Sequence, residues 1–178
     1  MTNHVHLVAT PLAEVALART VQMTQMRHTQ RINLLQGMSG HLWQGRFFSC
    51  PLDDAHFWTA IRYVEQNPVL AGLVASAADY PWSSAPAHCG RCHDPLLTEL
   101  PGQEFIADWA AWLAQEDPVE SALIRAHTLQ GAPCGSDAFR IQLSTQLGRP
   151  LILRPRGRPR KTTDEGQEPE EGTSKKGL

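Results

Sequence analysis

The chain has 178 residues carrying 16 Lys plus Arg, 18 Asp plus Glu and 8 His, for a formal net charge of −2. With 42% hydrophobic residues it can bury one modest core beside a tail, and no apolar run approaches the ~20 residues needed to span a bilayer. Residues 1–10 show no basic region followed by an apolar stretch, so the expected compartment is the cytoplasm, with no membrane partner.

The opening Asn3-His4-Val5-His6-Leu7-Val8 reads as a strand over residues 4–9. Alternate side chains of a strand point the same way, so His4 and His6 leave one face together while Val5 and Leu7 face a core from the other. Two neutral imidazoles side by side make half of a divalent-metal site; a half-exposed polar pair has the same spacing. Residues 12–36 set Leu12, Val15, Val21, Met26 and Ile32 in a polar background and read as a long helix ending before Gly37. Arg19, Arg27 and Arg31 on it are placed either to line a DNA channel or simply to be solvated.

A loop over 37–45 leads to a short strand at 46–51 that begins with Arg46, then to a helix over 54–67. Asp53 and Asp54 suit its start, Pro68 marks a kink or break at the other end, and Phe57, Ile61 and Val64 recur at the spacing of a buried stripe. Tyr63 and Asn67 lie one turn apart on another face, where they reach a common point or serve merely as a boundary phenol and a helix-ending amide. A short helix follows at 69–73, and further helices at 103–115, 118–129 and 136–147 form a C-terminal region with Trp109, Trp112 and Leu113 as its core.

Cys89-Gly90-Arg91-Cys92-His93 matches a haem-attachment pattern, which needs export, and zinc would require two further ligands from Cys134, His88 and His127, which lack ordered spacing. The four cysteines read as reduced thiols. The near-neutral total charge conceals a local asymmetry. Residues 149–161 hold Arg149, Arg154, Arg156, Arg158, Arg160 and Lys161 without one acid, and residues 162–178 hold five acids against two lysines. The alternating Arg and Pro make an extended basic arm, either similar to an AT-hook core lying in a narrow minor groove or a nonspecific phosphate contact. The acidic, Gly-rich end reads as disordered.

Four blocks together carry a resemblance: Asn3-His4-Val5-His6-Leu7; Gly40-His41-Leu42-Trp43-Gln44-Gly45-Arg46-Phe47; Tyr63 through Val74; and Asp79-Tyr80-Pro81-Trp82-Ser83-Ser84. In order and spacing the chain resembles the single-tyrosine HUH (IS200-like) transposases, closest to their REP-associated branch, over roughly residues 1–100. The resemblance implies an α+β fold: a ferredoxin-like HUH domain over 1–90, a helical region over 91–148, and a basic arm with an acidic tail over 149–178. It implies a metal-dependent DNA endonuclease and strand transferase that cleaves single-stranded or hairpin DNA through a 5′-phosphotyrosine. Tyr63 takes the nucleophile's place, His4, His6 and Asn67 the places of the metal ligands, and Mg2+ or Mn2+ that of the cofactor.

Arg19, Arg27, Arg31, Arg46, Arg154, Arg156, Arg158, Arg160 and Lys161 are the expected DNA contacts, with repetitive extragenic palindromes as targets and a monomer or homodimer as the assembly. One departure from the family's pattern shapes the expectation for this polypeptide. Relatives carry a strand, helix and strand before the histidine strand, whereas Met1 sits almost on the motif here. The expectation is a domain lacking its central first strand, poorly stable or inactive alone. The competing reading is a DNA-binding remnant without catalysis.

Overall fold

A computed structural model describes residues 3–115 and 117–151. Its six α-helices are α1 (Ala16–Gln36), α2 (Asp54–Leu70), α3 (Ala85–His88), α4 (Trp109–Leu113), α5 (Pro118–Gln130) and α6 (Asp137–Leu147), with single 3-10 turns at Ala77–Asp79 and Gln103–Phe105. The ferredoxin-like α+β expectation is overturned: helix accounts for 52%, strand for 1%, and there is no sheet among the described residues.

The physical reason is that a strand exists only by pairing. Residues 4–9 and 46–51 form no strand, and neither meets a partner strand among the described residues. The one bridge among the described residues is parallel, between Leu52 and Cys134, in which Cys134 N–H donates to Pro51 O (2.8 Å) and Asp53 N–H to Cys134 O (3.2 Å). With no sheet layer beneath them, Val5 and Leu7 are exposed, contrary to their expected place in a core.

Helix α2 is the organising element. Asp53 caps it by accepting the His56 N–H (3.0 Å), and Asp54 adds a negative charge to the first turn, where the helix dipole favours one. It passes through Pro68, where a kink or break was expected, and takes in only the first two residues, Val69 and Leu70, of the separate helix expected at 69–73. Pro68 only removes the bond to the Val64 carbonyl. The Ala71 N–H still finds Asn67 O (2.9 Å), and the turn closes on Gly72 in the left-handed conformation (φ 67°).

Against α2 lie α5, α4 and the Ala77–Asp79 turn. One core cluster joins Ile61, Ala77, Ala85, Trp109 and Leu113; another joins Ala60, Ile124 and Cys134, and Val8 packs against both. Trp109 and Leu113 therefore share a core with α2. The expected helix over 103–115 is split, because Ile106 and Asp108 are extended, and Asp108 caps α4 through the Ala111 N–H (3.0 Å). Helix α1 differs from the rest: it buries no residue and closes on Gly37. It is held mainly by the loop after it, where Trp43 Nε1–H donates to Gln25 O (3.1 Å) and Asn33 Nδ2–H to Gly40 O (3.1 Å).

Candidate active site

Residues 4–7 lie along the second half of α2, and together with Val64, Asn67 and Pro68 they line a cavity of about 150 Å³. The rings of His4 and His6 project together, with centroids 4.9 Å apart and planes nearly perpendicular. Tyr63 meets His6 from the other side, edge to face, at 5.5 Å. The phenol is half-buried and packs against the Ala60–Ile124–Cys134 cluster, so it borders the site behind His6 without lining the cavity. Asn67 turns its amide nitrogen back to the Tyr63 carbonyl (3.4 Å), which leaves its side-chain oxygen for other partners.

The donor chemistry suits a divalent cation. When Nδ1 of His4 carries the proton it donates to Asn3 Oδ1 (2.7 Å), leaving the Nε2 lone pair for a ligand. Burial, and then the neighbouring His4, hold the His6 ring below its usual titration range, so it is neutral at neutral pH. Two imidazoles and an amide oxygen on one cavity make an N,N,O donor set of a kind that can take a divalent cation.

The remaining expected residues stand elsewhere. Arg19, Arg27 and Arg31 are exposed on α1, Arg46 is exposed in a bend, and none of the four lines the cavity. Arg154, Arg156, Arg158, Arg160 and Lys161 lie outside the described residues. Among the described residues no three His, Cys, Asp or Glu side chains converge as a metal site. His88 and His127, weighed for zinc, are engaged with the Glu65 carboxylate (2.6 Å) and the Pro133 carbonyl (2.7 Å). Burial, and then Cys50, push the Cys134 thiol up to about 11.

Two features escaped the sequence reading. Tyr80, Trp82 and Ser83 form part of the cavity wall, although that stretch reads as packing or a turn. Glu65, between Tyr63 and Asn67, is fully buried. Its Oε1 accepts from Ser84 Oγ and from His88 Nδ1 (2.6 Å), and its Oε2 from Trp109 Nε1 (2.8 Å). The Trp-Ser-Ser block, visible in the sequence beside the histidine and tyrosine blocks, was the available signal for the first; nothing in a hydropathy pattern signals the second.

Residues 1–67 match the family described as Transposase IS200 like, a stretch that ends on Asn67 and so contains His4, His6, Tyr63 and Asn67. Over that stretch the chain resembles this family, and the match supports a transposase-like function. No curated protein and no solved structure matches the chain. No helix among the described residues is long and apolar enough to cross a membrane.

Proposed function

We propose that the chain is a divalent-metal-dependent endonuclease and strand transferase acting on single-stranded or hairpin DNA, with Tyr63 as nucleophile. The observation that carries this reading is the meeting of His4, His6 and Asn67 on one cavity with the Tyr63 ring against His6. His4, His6 and Asn67 would hold Mg2+ or Mn2+, which when bound neutralises charge on the scissile phosphate. The Tyr63 oxygen attacks the phosphorus and gives up its proton; a P–O bond to tyrosine forms as the P–O3′ bond breaks, and the departing strand leaves as a 3′-hydroxyl. The phosphotyrosine keeps the energy of the broken bond, so a 3′-hydroxyl can attack it and rejoin strands without a nucleotide cofactor. Arg19, Arg27, Arg31 and Arg46, with the basic arm from Arg154 to Lys161, supply phosphate attraction. Hairpins formed by repetitive extragenic palindromes are the proposed targets.

The test uses an oligonucleotide labelled at its 3′ end, since the 3′-side fragment is the one joined to tyrosine. The wild-type chain with Mn2+ should give a labelled adduct that survives denaturation, and chelation of the metal should remove it. Tyr63→Phe should lose the adduct while its DNA affinity stays within about 2-fold, because one hydroxyl contributes little beside the phosphate contacts. A second reading, a DNA-binding remnant without catalysis, is favoured by the lack, among the described residues, of any strand pairing around the exposed His4. It predicts equal DNA affinity for both proteins and no adduct from either.

A further inference from the structure

The chain has five tryptophans, and four of them are engaged. Trp58, Trp109 and Trp112 form one aromatic group, and Trp43 lies against His28 and donates to Gln25 O. Trp82 alone makes no ring contact or hydrogen bond among the described residues; it is 85% exposed, yet it walls the cavity that holds His4, His6 and Asn67. An indole that contributes nothing to the core leaves a large flat apolar face in water, and this one lies beside the candidate site.

The loop that displays it is firmly anchored. Before it, Ala77 and Ala78 are buried, and Arg91 ties the turn down by pairing with Asp79 (2.6 Å) and donating to the Ala78 carbonyl (3.2 Å). After it, the Ser83 hydroxyl accepts the Ala85 N–H (3.2 Å), Ser84 donates to the buried Glu65 carboxylate, and Ala85 is fully buried. An exposed aromatic face on an anchored loop beside the cavity that holds His4, His6 and Asn67 is built to receive a planar partner at little entropic cost.

We propose that Trp82 is a stacking platform for one unpaired nucleobase next to the phosphate held at His4, His6 and Asn67. This rests on the strand-cleaving reading given above. A base in a duplex has its faces covered by its neighbours, whereas a single-stranded base can lay one face on the indole. The platform therefore selects the unpaired state of the strand, and it tolerates any base because every base has a π face.

The test measures affinity of the full chain for a 20-mer of oligothymidylate and for a duplex of equal length. Trp82→Ala should weaken oligothymidylate binding about 5- to 100-fold, the span expected for removing one base–aromatic stack, and leave duplex binding unchanged. The slope of log affinity against log salt should not move, because no phosphate contact is lost. Trp82→Phe should restore most of the affinity. The exposed position predicts unaltered thermal melting for both variants. Wild-type affinity in Trp82→Ala, or an equal loss on single strand and duplex, overturns the stacking role while the Tyr63 adduct, still formed, leaves strand cleavage standing. A wild-type chain that neither binds oligothymidylate nor forms an adduct overturns both.

Discussion

Glu65 sets the terms at the scale of single residues. One carboxylate takes a hydroxyl from Ser84, a ring N–H from His88 and an indole N–H from Trp109, so it joins α2 to α3, to the residue before it, and to α4. The His88 ring also lies over Trp109 at 4.3 Å, which closes the group into a compact unit. Glu65→Ala would leave three donors without their acceptor in the interior, at a cost of roughly 3 kcal/mol. Urea unfolding of this variant should show a midpoint well below that of wild type, and Glu65→Gln should fall between, since its amide oxygen can still accept while its nitrogen meets the Trp109 N–H. The reading of α2 by apolar spacing found Ile61 and missed Glu65 and its buried neighbour Gln66, whose amide donates to the Leu113 (2.5 Å) and Gln115 (2.8 Å) carbonyls at the end of α4. Apolar periodicity sorts residues by transfer from water, and a polar group that brings its own partners inside defeats that rule.

Among the elements, α2 was the most legible and the strands the least. Its cap, its start and the shared face of Tyr63 and Asn67 are all local properties, set by residues within a turn of one another. Helices α5 and α6 likewise begin beside Asp117 and Ser136, which accept from Glu120 and Phe139 N–H groups. A strand depends on a remote partner, so the alternation at 4–9 could suggest a strand but not what would lie beside it. The cap of α2 gives a pH prediction. Burial pushes the Asp53 carboxyl up, but the Ser136 N–H and the His56 side chain and N–H outweigh it and hold the carboxyl below its ordinary value of 3.8. A depressed folded value adds stability that is complete above the unfolded value and fades as pH falls through the folded one. Asp53→Ala should therefore cost about 1–2 kcal/mol at neutral pH. The gap from wild type, followed by denaturant titration, should narrow as pH drops below about 4.

For the molecule as a whole, stability is unevenly spread. Helix α2 contributes to both core clusters, whereas α1, the longest helix, buries nothing and leaves Leu34 (83%) and Leu35 (67%) to solvent. Local opening follows the contacts that must be broken. Hydrogen exchange should show α1 amides exchanging roughly 100-fold or more faster than those around Ala60 and Ile61 in α2, and comparable rates in the two helices would contradict this architecture. The length and placement of α1 could be read from its periodic residues. Its lack of a burial partner could not, because the same pattern serves a covered and an uncovered helix alike.

Asp53 has one more effect. While Oδ1 holds the first turn of α2, Oδ2 accepts the backbone N–H of Ser136 (2.7 Å) at the threshold of α6, next to Gly135, where any added methyl would collide with the Phe139 ring. A single side chain thus latches together two points eighty-three residues apart in the chain. Strain applied to the far end of the polypeptide, by a bound strand or by proteolytic loss, would reach the helix that bears Tyr63 through this latch and loosen it from its root upward.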